Sequence, residues 1–175
     1  MGNPKARIHK MEQEVAEAWR RTRTQTREIS ETPHIPGIGH LRAQVVYAPS
    51  FEAKYAWDIL SGAQGTLHLY RSHVVYQELR YKLRGYHEVA VEEDIPRKFL
   101  ERSYSLSLPI RPDLSGLGGL DGTHFEIALK GDLSSEVRFR WWCEGPDYWS
   151  ELTTLASEMI RVFLPLPLCE PQVTE

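Results

Sequence analysis

The residues that could carry chemistry are scattered along this chain. The seven histidines are His9, His34, His40, His68, His73, His87 and His124. None forms an H-x-x-x-H or H-E-x-x-H pair, the spacings that set two imidazoles on one helix face to hold a metal. His34 and His40 could meet across one loop, and His68 and His124 across strands, but no Cys/His spacing announces zinc. Glu92, Glu93 and Asp94 stand just before a helix, whose positive end accounts for them. Acid/base work by paired carboxylates would need two acids facing one cleft, and no spacing fixes that. Gly116, Gly118 and Gly119 precede a strand rather than a helix N-terminus, and no Gly-Lys-Ser/Thr follows, so they do not make a phosphate loop. Serine, histidine and aspartate are all present, yet there is no G-x-S-x-G elbow. The expectation is no metal, no cofactor and no catalytic residue, leaning away from an enzyme.

The densest group of unusual residues runs from Leu117 to Trp149, as LGGLDGTHFE and then RFRWWCEGPDYW. Asp121–Gly122 fits a turn, because the Asp carboxylate accepts from nearby amides and Gly tolerates left-handed backbone. Trp141 and Trp142 are adjacent in a strand and must point to opposite faces, so one is core. The other, beside Arg138, Arg140, Tyr148 and Trp149, has the composition of a binding anchor. Trp142, Glu144, Tyr148 and Trp149 are therefore the candidate partner-binding residues. The competing reading places a small-molecule or enzymatic site at the sheet end, near Asp121, Thr123, His124 and Glu144.

The same stretch carries a resemblance. Leu120, Asp121, Gly122, Thr123 and Glu126 form LDGTxxE, Trp141 and Trp142 end the next strand as WW, and Pro146 and Trp149 form a PxxW entry to a helix. This pattern over roughly the last third of the chain resembles small uncharacterised bacterial proteins, a group that includes immunity proteins of bacterial toxin systems. Tyr148 departs from the pattern as an added aromatic. The resemblance implies a non-catalytic protein that binds and neutralises a toxin, and it brings no catalytic residue with it.

The elements that must position these residues can be read from periodicity. Ile8, Met11, Val15, Ala18, Thr22 and Ile29 recur at three and four, predicting one helix over residues 5–29. That segment holds seven basic and four acidic residues, a net +3, which leaves −6 on the rest of a chain of net charge −3. A basic helix on an acidic body could dock on it or pair with a second copy, giving a possible homodimer through the N-terminal helix. Residues 34–40 are a Pro/Gly loop. Strand-like runs follow at 43–48, 53–60, 66–71, 79–83 and 86–91, with Leu67 and Leu69 inward, His68 and Tyr70 outward, Leu79, Tyr81 and Leu83 on one face, and a bulge or a tight bend at Gly85. Asp94 is expected to cap a short helix from Pro96 to Tyr104. After a Pro/Gly-rich connection over 106–119, strands at 123–130 and 135–142 pair across Gly131–Asp132. Asp147 is expected to cap a last helix, 148–164, with a wide apolar face.

The fold expected is α+β, a mostly antiparallel sheet of about five to six strands with the C-terminal helix packed on one face and an N-terminal basic helix. The domain division expected is an N-terminal helix over 1–30, a single domain over 41–168 and a loose tail over 169–175. With 175 residues, 41% apolar and 26% charged, the composition is that of an ordinary globular chain. Its acidic balance gives no footprint for nucleic acid. No run approaches the ~18 apolar residues of a membrane span. Two cysteines, Cys143 and Cys169, are too few for a disulfide framework. The expected location is therefore cytoplasmic, with a protein partner, no nucleic acid and no membrane.

Overall fold

The computed structural model describes residues 4–29, 31, 39–109, 121–131 and 135–169. One seven-stranded sheet forms the framework. Its strands are β1 (Thr26–Glu28), β2 (His40–Pro49), β3 (Tyr55–Ser61), β4 (Leu67–Gln77), β5 (Arg80–Glu88), β6 (Thr123–Lys130) and β7 (Glu136–Trp142). Their order is β1-β5-β4-β3-β2-β6-β7, and every neighbouring pair is antiparallel. Helices α1 (Pro4–Thr24), α2 (Asp94–Ser105) and α3 (Ser150–Phe163) complete the α+β architecture.

The count of strands exceeds the expectation because the helix predicted to run to residue 29 ends at Thr24. Thr22 and Thr24 turn their hydroxyls back onto the carbonyls of Ala18 and Arg20, a contact that competes with helix propagation. The chain then pairs with β5, Arg27 opposite Leu83. The N-terminal segment is thus stitched into the sheet.

Two faces of the sheet are buried. On the first, alternate residues Val45, Trp57, Ile59, Leu69, Ile127 and Trp141 meet α2 and α3 through Phe99, Leu152, Leu155, Met159, Ile160 and Phe163. Burial of five large α3 side chains at about 1.5–3 kcal/mol each makes this contact a dominant stabilising element. Asp94 does not cap α2 as expected. It is the first helical residue and pairs with Lys98 one turn on. Asp147 opens a 3₁₀ turn ahead of α3, whose cap position is Trp149.

On the second face, Val46, Ala48, Ala56, Val74 and Leu83 pack with Ile29, and Leu41, Leu60, Tyr70 and Tyr86 pack under Trp19 of α1. Tyr70, expected to face outward, is buried here because α1 covers it. This face is strongly curved. Tyr81 of β5 and His124 of β6 are four strand steps apart, about 19 Å on a flat sheet, yet their rings stack at 5.5 Å. The predicted bulge helps bend the sheet: the β4–β5 register shifts between Arg71 and His73, and Gly85 takes φ 73°.

Candidate functional site

Every strand except β1 brings an end to one rim of the sheet. β2 runs into it and turns at Phe51, and β4 and β5 meet at the Glu78–Leu79 turn. Asp121 leads into β6, and β7 leaves through Cys143 and Glu144. Ser50 ties the rim together, exchanging hydrogen bonds with the backbone of Gly122, while the Cys143 amide donates to the Thr123 carbonyl. Gly122 is required for this closeness. A Cβ there would sit 2.5 Å from the Cys143 Sγ and from the Trp142 Nε1.

Large apolar side chains stand out of this rim into water. Phe51 is 84% exposed, Leu79 86% and Tyr76 62%. Tyr76 touches Tyr81 edge-on at 5.3 Å, Tyr81 stacks on His124, and His124 is the cross-strand neighbour of the half-buried Trp142. A row of rings therefore leads from the hairpin tip to Trp142. Burial is the main cause that holds the His124 imidazole below its ordinary pKa, with Arg140 adding to it, so the ring is neutral at pH 7. Exposed Glu52, Asp121 and Glu144 border the rim.

The backbone at the rim is strained. Four described non-glycine residues have positive φ, and three lie here: Glu78 at 55°, Leu79 at 62° and Cys143 at 53°. A two-residue hairpin turn of this hand favours Asn-Gly, which tolerate the conformation. Glu-Leu does not, and a branched side chain held left-handed costs about 1–2 kcal/mol. Such strain concentrates at working sites.

The four candidate binding residues divide. Trp142 and Glu144 belong to the rim. Trp149 lies on the helix-covered face, edge-on to Phe139 at 5.3 Å, with its indole N–H donating to the Pro109 carbonyl. Tyr148 sits against Trp149 at 5.9 Å. The two tryptophans therefore occupy opposite faces of the sheet and do not form one patch. The alternative set divides as well. Thr123 and Glu144 share a groove of about 730 Å³ with Thr153, Ser157 and Arg161, over the stacked rings of Phe125 and Trp141. His124 points to the other face, and Asp121 is exposed at the turn.

His68 does not meet His124. Its Nδ1 lies 3.0 Å from Glu88, and the Thr66 hydroxyl is 3.5 Å from its Nε2. This hydroxyl–imidazole–carboxylate row sits at a turn where Thr66 is exposed. Water there screens the charges that such a row would need to use. His34 and Gly116, Gly118 and Gly119 lie outside the described residues. Among the described residues no group of three or more His, Cys, Asp or Glu is arranged for a metal, and both cysteines are exposed thiols.

A buried polar network on the curved face was not singled out by sequence. Arg27 reaches from β1 to Asp58 at 2.8 Å, and Gln44 donates to the other Asp58 oxygen at 2.8 Å. Arg27 also contacts Ser72 and lies over the Tyr86 ring at 5.0 Å. Burial first, then the nearby Asp58 charge, pushes the Tyr86 hydroxyl well above its ordinary pKa, although it makes no well-formed hydrogen bond. Beside this network, buried Glu126 is held between Arg138 and Arg140 of β7. Asp58 and Glu126 are single acids inside the otherwise apolar runs AWDIL and FEIAL. That was the available signal.

No family model, curated protein or solved structure matches the chain. No helix among the described residues is long and apolar enough to cross a membrane.

Proposed function

We propose that the chain is a non-catalytic protein-binding module of the immunity type, which recognises and neutralises a bacterial toxin through the rim of its sheet. The observation that carries this reading is the exposed, strained hairpin tip: Leu79 projects 86% of its surface into water from a backbone conformation that disfavours it. The Leu79 side chain gains little burial from the turn, whereas a partner pocket could bury Leu79, Tyr76 and Phe51 at about 1.5–3 kcal/mol apiece. Trp142 extends the apolar row, and the bordering acids Glu52, Asp121 and Glu144 suit a partner with basic groups around that pocket. Polar borders around apolar anchors are the usual anatomy of such contacts. The LDGTxxE, WW and PxxW resemblance supplies the immunity-like class, and a cytoplasmic location accords with it.

The test compares proteins retained from a lysate of the source organism by the immobilised wild type with those retained by Leu79→Asp and Phe51→Asp. Circular dichroism confirms that the variants fold. A protein held by the wild type and lost from both variants supports the reading. Identical retention by all three, or none by any, opposes it.

The Thr123–Glu144 groove favours a second reading, a small-molecule site between β6, β7 and α3. A metabolite that raises the melting temperature by several degrees, and fails to do so in Thr123→Val, would favour that reading over the first.

A further inference from the structure

Helix α1 extends beyond the body it docks on. Its apolar stripe, Ile8, Met11, Val15, Ala18 and Thr22, follows the alternating three-and-four spacing of a two-helix seam. The C-terminal half of the stripe is occupied: Val15, Ala18, Trp19 and Thr22 are half-buried, and Trp19 packs on Tyr70 at 5.7 Å and on Tyr86 at 6.4 Å. The N-terminal half is not covered. Residues 7–14 are all exposed, with Ile8 at 53% and Met11 at 59%. Eight helical residues at 1.5 Å each give about 12 Å of free helix bearing an apolar strip.

We propose that this free half pairs with the same segment of a second copy, as an antiparallel two-helix contact centred between Lys10 and Met11. Two observations select this occupant and its direction. Charge is segregated in blocks along the free half: Arg7 and Lys10 come first, then Glu12, Glu14 and Glu17. With Ile8 and Val15 as equivalent seam positions, Arg7 and Glu14 flank the seam on the same side. A two-fold axis through the centre sets Arg7 of each copy against Glu14 of the other and brings the exposed Ile8 of each copy beside Met11 of the other. The second observation is steric. The body docks on the stripe side at Ala18–Thr22, so a parallel pair would drive two bodies into one space. The antiparallel pair sends them to opposite ends. The contact within one helix between Lys10 and Glu14 is long, 3.9 Å, and both side chains remain largely solvated, so Glu14 is available to a second copy.

This contact lies on α1, away from the rim, and stands or falls separately from the proposed function. Light scattering over a concentration series reads it directly. The wild type is expected to approach twice the 20.2 kDa chain mass. Met11→Glu is expected to remain at the single-chain mass with an unchanged near-ultraviolet circular dichroism spectrum. Arg7→Glu reverses two symmetric contacts and is expected to weaken dimerisation ~5-fold or more. Adding Glu14→Arg to Arg7→Glu is expected to restore it. A wild type that stays at the single-chain mass at its highest soluble concentration overturns the proposal. So does a Met11→Glu variant that dimerises like the wild type. An Arg7→Glu defect repaired by Glu12→Arg instead of Glu14→Arg overturns the antiparallel direction.

Discussion

Replacing Leu79 with glycine should make the protein more stable and less functional at once. Leu79 sits at φ 62° and is 86% exposed, so its removal sacrifices little burial. Relief of the left-handed strain is worth about 1–2 kcal/mol. Glycine gives back about 0.5–1 kcal/mol through the greater freedom of the unfolded chain. The balance is a gain of about 0–1.5 kcal/mol, which for a chain of this size corresponds to a rise in melting temperature of roughly 0–6 °C. Urea unfolding followed by tryptophan fluorescence measures the change directly, and partner retention by the same variant should fall. A loss of stability in Leu79→Gly would mean that the side chain packs on the protein after all. An unaltered partner contact alongside the predicted gain would mean that the strain has nothing to do with binding.

Three further outcomes follow from the buried groups. Arg27→Ala leaves the Asp58 carboxylate, whose side chain is 2% exposed, with Gln44 as its remaining strong donor; it should cost about 3–5 kcal/mol in urea unfolding, whereas the combined change Arg27→Met, Asp58→Leu and Gln44→Leu, which leaves neither the charge nor the Gln44 amide unpaired, should cost less than Arg27→Ala alone. His124 has a folded pKa below its ordinary value of 6.5, so the unfolded chain binds the proton more readily. Stability from this group is complete above pH 6.5 and declines as pH falls through and below that value, and His124→Phe, which keeps a ring against Tyr81, should flatten that part of the pH–stability curve relative to wild type. Tyr70 and Tyr86 are both pushed up, chiefly by burial, so absorbance titration should leave them un-ionised past pH 10 until alkaline unfolding releases them together.

The parts of the fold that were legible are those in which one period dominates a short run. THFEIALK and SEVRFRWW alternate cleanly, and they form β6 and β7 within a residue of the expected limits. The apolar face of α3 is as wide as its sequence suggests. Legibility fails where burial is two-sided. AKYAWDIL alternates, but both faces of β3 are covered, so Asp58 and Trp57 are each buried and no exposed side exists to read. Tyr70 reads as outward-facing for the same reason. The site was half legible: adjacent Trp141 and Trp142 were correctly split between faces, but Trp149 was grouped with Trp142 because nothing in a linear pattern says which face an incoming helix covers. The alternation of LRYKL puts Leu79 on a strand face with Tyr81 and Leu83, but β5 begins at Arg80 and Leu79 stands in the turn, exposed, while Leu83 is buried; nothing in the linear pattern points to Phe51 at its turn or to Tyr76 near the end of β4. Their convergence at one rim depends on a sheet order and curvature that no local run encodes.

A photo-crosslinking residue at position 79, with a control at the exposed Glu101 of α2, tests the rim most directly. In cells of the source organism, position 79 should yield one defined adduct with a second protein, and position 101 should not. No adduct at 79, or the same products from both positions, would contradict the assignment of the rim as the working surface.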